Sequence, residues 1–310
     1  MLLGDYLRLV RLPNIFTVPS NTLSGYFALV ALAHINALQL VLLASSSMLL
    51  YTSGLVFNDY FDVETDLKER PHRPLPSGRI CKRIAFTIAI SSMISANLIA
   101  YFAAGPNAFA LSALISAIVI LYDYKLKETK GGPVAMGLAR SLNVILGASP
   151  ALYLVLQNNN LFIRLAFIGL FTFAYIFSIS LVSRKEIRSD QDQKDRQKTT
   201  RSVRITVLTS FSIIFCIIAS IIFLVLLGIF RADLVVNLAL FSGVVVIILV
   251  KMSRFRYLSS SLQNAIQNMV IAIIVLDSIF VSGLVGVYYG LPVLILVIPA
   301  IVLSRRLYMT

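Results

Sequence analysis

Apolar residues along the chain are grouped into ten runs, each separated from the next by a short, more polar stretch. Most runs contain about 20 residues, the length that an α-helix needs to cross the hydrocarbon core of a bilayer. They lack the alternation of apolar and polar residues that marks membrane strands, so the pattern predicts helices. The runs cover residues 14–33, 38–58, 84–104, 106–122, 133–156, 162–183, 204–229, 234–250, 264–286 and 290–304.

Two boundaries between runs are open from the pattern alone. The third and fourth runs meet at Gly105-Pro106, and the last two are separated only by the stretch 288–292. Each pair is consistent with one bent helix or with two short helices joined by a tight turn. The prediction is therefore an all-α bundle of nine to ten transmembrane segments.

Composition places these helices in a membrane. Of the 310 residues, 58% are hydrophobic and only 13% are charged, whereas a soluble domain carries about 25% charged residues. No soluble module or long linker interrupts the runs, so residues 1–310 are predicted to form a single domain. The two cysteines, Cys81 and Cys216, lie far apart and have no metal-ligand spacing.

The distribution of charge predicts the topology. With the N-terminus placed in the cytoplasm, 24 of the 27 Lys and Arg residues fall in the loops and termini on that side. This asymmetry follows the positive-inside rule, and it explains the net charge of +13 without nucleic acid as a partner. The sequence therefore predicts a multi-pass protein of the cell membrane, with both termini in the cytoplasm.

An acidic motif follows the second run, on the predicted cytoplasmic side. In it Asn58, Asp62 and Asp66 are spaced four residues apart, so a continuing helix would place them on one stripe, flanked by Asp59. Like charges at this spacing repel, which argues against a role in helix stability. Carboxylate and amide oxygens suit Mg²⁺ shared with substrate phosphates. The alternative is a solvated acidic loop; the metal site is preferred, with Asp59 and Asp62 as candidate catalytic residues.

Basic residues follow the acids directly. Arg70 and Arg73 lie in a proline-rich stretch, and arginine suits bidentate contacts with phosphate. A second basic group, Arg79, Lys82 and Arg83, borders the third run and is more simply explained by the positive-inside rule. The sequence thus predicts that Arg70 and Arg73 bind phosphate next to the metal.

The loop at 123–131 is a third candidate. Lys125 and Lys127 follow the fourth run and could contact phosphate, although the positive-inside rule explains them equally well.

Several polar residues lie within predicted spans. Arg140 and Asn143 share one face of the fifth segment, and a buried arginine is costly enough to suggest a functional position facing a cavity. Asp277 could pair with Arg140. Asn14 and Asn21, two turns apart on the first segment, could line an acceptor pocket or form hydrogen bonds between helices.

The motif Asn-Asp-x-x-Asp-x-x-x-Asp, followed by Arg-Pro-x-Arg-Pro-Leu-Pro-Ser-Gly, resembles that of the UbiA superfamily of intramembrane prenyltransferases. The resemblance implies a helical bundle in which Mg²⁺, held by two acidic motifs, binds an isoprenyl diphosphate on the cytoplasmic side. An aromatic or lipid-precursor acceptor would then be alkylated within the membrane. It implies metal binding by Asn58, Asp62 and Asp66, and diphosphate contacts from the basic residues Arg70, Arg73, Lys125, Lys127 and Arg184. The oligomeric state is left open.

The second acidic motif of the superfamily, usually Asp-x-x-x-Asp after the sixth helix, is altered here. Glu186 and Asp190 have the four-residue spacing and share a helical face, whereas Asp192 and Asp195 are one residue too close. Glu186 and Asp190 are therefore the predicted ligands for the second metal. The alternative is a loop of mixed charge without a defined ligand set.

Residues 131–143 and the C-terminal stretch are similar to the EboC-like branch of the superfamily. That branch is associated with the export or assembly of specialised metabolites. The rival to a prenyltransferase is accordingly a protein that binds or transports a lipid diphosphate without chemistry, and a membrane scaffold is a more distant alternative.

Overall fold

The computed structural model describes residues 3–30, 35–191, 196–254 and 259–306. Side chains are described throughout these ranges except at residues 3, 13, 30, 156, 185–191, 196–204, 251–254, 259–262 and 305–306. The regular structure in these ranges is helical, which confirms the predicted all-α class. The helices are α1 (Leu3–Leu9), α2 (Leu12–Ile15), α3 (Thr17–Val30), α4 (Ala37–Phe61), α5 (Val63–Glu69), α6 (Lys82–Tyr124), α7 (Gly132–Ala148), α8 (Leu152–Gln157), α9 (Asn159–Gln191), α10 (Arg196–Leu226), α11 (Val235–Arg254), α12 (Ser259–Val285), α13 (Val287–Ile295) and α14 (Val297–Arg306).

Eight helical stretches in the described ranges have the length and hydropathy to cross a membrane. They are Ala37–Phe61, Lys82–Tyr124, Gly132–Val155, Asn159–Arg184, Ile205–Leu226, Ala232–Val250, Gln263–Val285 and Val287–Ser304. The first predicted run corresponds to α2 and α3, of which α3 has 14 residues. Because α6 contains two runs, these elements agree with the predicted nine to ten segments.

The helix α6 folds back on itself at Gly105. Ala104 and Gly105 leave the helical region, and Gly105 has a φ of 73°, which glycine adopts at no steric cost. Ser112 Oγ donates to Asn97 Oδ1 at 2.7 Å, and Asn97 Nδ2 donates to Ser116 Oγ at 3.0 Å. In a straight helix, residues 97 and 112 would be about 22 Å apart. The third and fourth runs are therefore two antiparallel arms, residues 82–104 and 106–124.

The last two runs also form separate helices. Gly286, between α12 and α13, has a φ of 115°. The chain then returns along α12 so closely that a Cβ on Gly290 would lie 1.9 Å from Ser282 Oγ. The turn at Gly286 thus gives a helical pair rather than one bent helix.

The helices α3 and α7 pack backbone against backbone. A Cβ added to Gly25 would lie 1.8 Å from the carbonyl oxygen of Val144, and one added to Gly147 would lie 1.9 Å from that of Thr22. Small residues permit such an approach between membrane helices. This contact holds the polar residues of α3 against those of α7.

Candidate functional site

The acidic motif keeps its helical register through the junction between α4 and α5. Asp62 stands at that junction, where its backbone N–H donates to the carbonyl of Asn58 at 3.0 Å. The N–H of Asp66 in turn donates to the carbonyl of Asp62 at 2.8 Å. Asn58, Asp62 and Asp66 therefore follow one another at intervals of one helical turn, beyond the end of the apolar run.

Two of the acids are paired with arginines. Asp59 accepts a hydrogen bond from Arg11 at 2.8 Å, while Arg73 Nη1 lies 3.5 Å from Asp59 and 2.7 Å from Asp66. Asp59 and Asp66 are 5% and 3% exposed, so these pairs are largely screened from water. The arrangement joins the N-terminal segment, α4, α5 and the proline-rich loop. In the structure Arg73 therefore contacts acids directly.

The surroundings of Arg11 and Arg73 shift the pKa of the two guanidinium groups in opposite directions. Burial lowers the pKa of Arg11, but the Asp59 carboxylate and other neighbours outweigh it, and the pKa lies above the ordinary value. Burial also lowers the pKa of Arg73, and the nearby Arg11 guanidinium lowers it further. Asp59 and Asp66 raise the pKa of Arg73 but do not outweigh these effects, so it lies below the ordinary value. Arginine keeps its proton in proteins, so both supply positive charge to the acids.

Asp62, the middle acid of the motif, contacts a different base. Its carboxylate accepts a hydrogen bond from the ammonium of Lys127, and both side chains are partly exposed. Lys127 belongs to the short 3₁₀ helix Leu126–Glu128 that follows α6. The structure thus brings a predicted metal ligand together with a predicted diphosphate contact 65 residues further along the chain.

The remaining basic candidates differ in their surroundings. Arg184, near the polar end of α9, donates to the carbonyl of Glu128 at 3.1 Å, which places it beside the Lys127 loop. Arg70 is partly buried next to the Arg73 pairs, and Lys125 is exposed. Arg79 has a structural contact, because its Nη1 lies 2.6 Å from Asp5 on α1.

Glu186 and Asp190 of the second acidic motif lie on α9, whose backbone is described to Gln191. The side chains of Glu186 and Asp190, as well as Asp192 and Asp195, lie outside the described residues. Their predicted role in metal binding stays a prediction.

The polar residues within the spans form a buried network. Arg140 Nη1 donates to Thr17 O and to Asn21 Oδ1, both at 3.0 Å, and its guanidinium lies 4.9 Å from the centre of the Tyr51 ring. Asn21 Nδ2 donates to Asp277 Oδ2 at 2.8 Å. Arg140 and Asp277, considered as a possible pair, are therefore linked through Asn21.

The two other polar candidates lie around this network. Asn143 Nδ2 donates to Val18 O at 3.1 Å, and its Oδ1 accepts from Ser47 at 2.7 Å. Asn14 is partly buried on α2, which is separated from α3 by Phe16. The structure brings Asn21, Arg140 and Asn143 together in contacts between helices, and Asn14 lies one short helix before them.

A family model describing the UbiA prenyltransferase family matches residues 18–274. This range covers most of the chain and includes the acidic motif, the Lys127 loop and the residues Asn21, Arg140 and Asn143 of the buried network. The chain belongs to the UbiA prenyltransferase family.

Curated relatives of this UbiA-family chain include two archaeal digeranylgeranylglyceryl phosphate synthases. The protein from Methanothrix thermoacetophila is 38% identical over 136 residues, which is 44% of this chain and 49% of the relative. The protein from Ignicoccus hospitalis is 33% identical over 127 residues, 41% of this chain and 40% of the relative. The matches thus span about half or less of these relatives.

Solved structures of UbiA homologues share the fold. A homologue from Aeropyrum pernix K1 superposes with a TM-score of 0.68 at 16% identity, over 91% of this chain and 98% of the other. A homologue from Archaeoglobus fulgidus, bound to DMAPP and Mg²⁺, gives a TM-score of 0.61 at 16% identity, over 93% and 98% of the two chains. These matches, with the apolar helices, describe a multi-pass membrane protein with the UbiA fold.

The oxygen donors at the end of α4 fit a magnesium ion that is shared with a substrate. Among the described residues, no three His, Cys, Asp or Glu side chains are close enough together to hold a metal. Mg²⁺ commonly binds through one or two carboxylates and completes its shell with water and substrate phosphates. Asn58 and Asp62 offer hard oxygen atoms of the required type.

The sequence pattern did not single out two charged residues near the acidic motif, Arg11 and Asp123. Arg11 appeared only as one of many bases on the cytoplasmic side, yet it binds Asp59. Asp123 appeared as an ordinary residue between two tyrosines, yet it is 3% exposed at the end of α6. An acid that closes an apolar run beside two lysines is the signal that could have drawn attention to Asp123.

Replacing Arg140 is expected to destabilise the fold. Arg140→Met removes hydrogen bonds from a charged donor to α3 and leaves buried acceptors without partners, a loss of about 3 kcal/mol. Arg140→Lys should recover only part of this, because an ammonium cannot reproduce the planar set of donors. Thermal unfolding of the purified protein in detergent measures both.

Arg164→Met is the matched control, since Arg164 makes no hydrogen bond or ion pair with the part of the chain that the structure describes. Equal melting temperatures for Arg140→Met and Arg164→Met would contradict a stabilising role for the network.

Proposed function

We propose that this protein is a Mg²⁺-dependent prenyltransferase that moves an isoprenyl group from an isoprenyl diphosphate to a lipophilic acceptor within the membrane. The observation that carries the proposal is the contact between Asp62 and Lys127. The contact joins the Asp62 carboxylate, an oxygen donor suited to Mg²⁺, to the Lys127 ammonium, a cation suited to phosphate. It lies at the C-terminal end of α4. Family membership supports this reading, as does a structural neighbour bound to DMAPP and Mg²⁺.

The acceptor is proposed to be a lipid precursor carrying a phosphate. The curated relatives are named as digeranylgeranylglyceryl phosphate synthases, which favours a prenylated glycerol phosphate over the aromatic acceptors also considered. The bases around the Asp62–Lys127 contact would suit a second anionic group in the same region.

In the proposed mechanism the residues of the chain bind and orient the diphosphate. Asn58 and Asp62 would hold Mg²⁺, which supplies positive charge that stabilises diphosphate as a leaving group. Lys127, with Lys125, Arg70 and Arg184 around it, would bind the diphosphate oxygens, and these contacts strengthen as negative charge develops on them. The Arg11 and Arg73 pairs would position the acidic motif against the loop.

The prenyl chain would lie between the helices, away from water. The runs that follow the motif into the membrane are apolar, so the bond between carbon and oxygen would break in a region where water does not compete with the acceptor. Release of diphosphate would need no proton transfer. The hydroxyl oxygen of the acceptor would then bond to the allylic carbon and lose its proton, which gives a prenyl ether, diphosphate and a proton. The positive-inside rule favours a cytoplasmic location for this site, because most Lys and Arg residues lie on the same predicted side of the membrane.

A direct test uses purified protein with radiolabelled geranylgeranyl diphosphate and Mg²⁺. The acceptors are geranylgeranylglyceryl phosphate, which is one prenyl group short of the relatives' product, and an aromatic acid. The expected result is a labelled lipid with the first acceptor, lost when EDTA is added. Labelled product only with the aromatic acid would overturn the lipid-precursor assignment.

A second candidate function is binding or transport of a lipid diphosphate without transfer. The altered spacing of the acids at 186–195 favours it, because one metal-binding motif of the superfamily departs from its usual form. Tight Mg²⁺-dependent binding of the diphosphate, with no product from any acceptor, would support this alternative and reject the prenyltransferase.

Lys127→Gln is expected to weaken binding of the isoprenyl diphosphate without weakening binding of Mg²⁺. The substitution removes the cation that contacts Asp62 and is proposed to contact the diphosphate, so the KM for the isoprenyl diphosphate should rise about tenfold. The Mg²⁺ concentration needed for half-maximal rate should not rise, since a competing positive charge is lost next to Asp62. Steady-state kinetics over a grid of both concentrations measures the two effects.

Lys130→Gln serves as the control, because Lys130 is exposed in the same loop. If Lys127→Gln leaves the KM for the diphosphate unchanged, Lys127 does not bind that substrate.

A further inference from the structure

Asp123 is a buried acid at the end of α6. It is 3% exposed, and its Oδ2 has no hydrogen-bond partner among the described residues. Burying a charged oxygen without a partner is costly. Such an atom at the end of a membrane helix suggests that a ligand or cation completes its environment.

The packing of α4 on the second arm of α6 places Asp123 beside the metal-binding motif. A Cβ on Gly54 would lie 2.8 Å from Val119 Cγ1, and the rings of Phe61 and Tyr124 are 6.0 Å apart. The two helices therefore run in the same direction. Asn58 follows Gly54 by one turn, and Asp123 follows Val119 by one turn, so both residues lie between these two contacts.

Three of the four acids in this cluster form ion pairs. Asp59 and Asp66 are matched by Arg11 and Arg73, and Asp62 is matched by Lys127. Asp123 forms no ion pair of its own among the described residues. The charged groups of Lys127, Asp62, Arg11 and Asp59 all lie within electrostatic range of its carboxylate. A divalent cation between Asp62 and Asp123 would give the Asp123 carboxylate a positive partner.

We propose that Asp123 is a further metal-binding residue, which supplies a carboxylate from α6 to the magnesium site formed by Asn58 and Asp62 on α4. The proposal rests on the proposed function for the identity of the metal and its diphosphate. It gives this chain two carboxylates and an amide oxygen from two adjacent helices. Together with diphosphate oxygens, that set is sufficient for Mg²⁺, whatever the acids at 186–195 contribute. On metal binding, Lys127 would leave Asp62 and become available to the diphosphate.

The test measures binding of Mn²⁺, as a spectroscopic substitute for Mg²⁺, to the full-length protein in detergent. Free Mn²⁺ is counted by electron paramagnetic resonance, first with the metal alone and then with inorganic diphosphate. Asp123→Asn keeps the size of the side chain and is expected to raise the Kd for Mn²⁺ at least about tenfold in the presence of diphosphate, a loss of one charged ligand. Glu128→Gln, which removes an exposed acid from the same loop, should bind Mn²⁺ like the unmodified protein.

Asp123→Glu distinguishes a ligand from a structural residue. It retains a carboxylate and is expected to bind Mn²⁺ more tightly than Asp123→Asn. Equal Kd values for the unmodified protein and Asp123→Asn would overturn the proposal, as would equal weakening by Asn and Glu. If Asp123→Asn does not fold, Asp123→Ala replaces it in the same assay. The Kd for Mn²⁺ should then rise from the unmodified protein to Asp123→Glu and again to Asp123→Ala, and any other order would overturn the proposal.

The outcomes also separate this inference from the proposed function. Mn²⁺ binding that depends on Asp123, in a protein that transfers no prenyl group, leaves the inference standing and rejects the prenyltransferase. Prenyl transfer by a protein whose Mn²⁺ binding is independent of Asp123 supports the prenyltransferase and rejects the inference about Asp123.

Discussion

Asp62→Ala is expected to abolish the proposed Mg²⁺-dependent prenyl transfer and to leave the protein folded. Asp62 is the acid at the centre of the motif, and its carboxylate contacts only the flexible end of Lys127 among the described residues. Removing it would deprive the proposed metal of a charged ligand, and charge stabilisation by a metal contributes several kcal/mol to a transition state. Because each 1.36 kcal/mol corresponds to a tenfold change in rate, a loss of about 1,000-fold is expected.

Turnover of radiolabelled geranylgeranyl diphosphate measures this effect, with size-exclusion chromatography and thermal unfolding as checks on the fold. Glu64→Ala is the matched control, since Glu64 is an exposed acid only two residues further along, and its turnover should stay within about twofold of the unmodified protein. Unchanged turnover in Asp62→Ala would contradict a role for the acidic motif in prenyl transfer.

Gly25→Ala and Gly147→Ala each disrupt the contact between α3 and α7. The new methyl groups would lie 1.8 Å and 1.9 Å from carbonyl oxygens of the facing helix, distances that no side-chain rotation can relieve. The helices must separate, which costs at least about 3 kcal/mol, the upper part of the range for overpacked cores. Since α3 and α7 also carry Asn21 and Arg140, the buried network should loosen at the same time.

Thermal unfolding in detergent and the yield of monodisperse protein measure this loss of stability. Gly243→Ala on α11 is the control, because nothing lies within 4 Å of the added methyl group and alanine favours a helix over glycine by about 0.5–1 kcal/mol. A Gly25→Ala protein that melts with the unmodified one would show that α3 and α7 are further apart than the structure places them.

Features that depend on neighbours along the chain could be predicted from the sequence. The apolar runs correspond to helices, because the length and hydropathy of a segment decide whether it can cross a bilayer. The glycine and proline between the third and fourth runs left one bent helix or two helices open, and the contacts from Asn97 to Ser112 and Ser116 decide for two antiparallel arms. Similarly, the one-turn spacing of Asn58, Asp62 and Asp66 is a local property of a helix.

The partners of the charged residues could not be predicted. The positive-inside rule placed the bases on the side of the acids, but it treats every loop lysine and arginine alike. The contacts of Asp59 with Arg11 and of Asp62 with Lys127 join residues 48 and 65 positions apart. For the same reason, the pattern could suggest a pairing of Arg140 with Asp277 but not the position of Asn21 between them.

The sequence by itself thus determined the helical class, the approximate number of segments and the acidic motif at the end of the second run. The tertiary structure decided which bases the acids bind, and it buried Asp123 within electrostatic range of Asp62 and Lys127. Periodicity records which residues share a face of one helix, whereas the order and register in which helices pack depend on contacts such as those of Gly54 with Val119 and Gly25 with Val144. Those contacts involve small and apolar residues that resemble many others in the chain, so their pairing emerges only when the bundle is assembled.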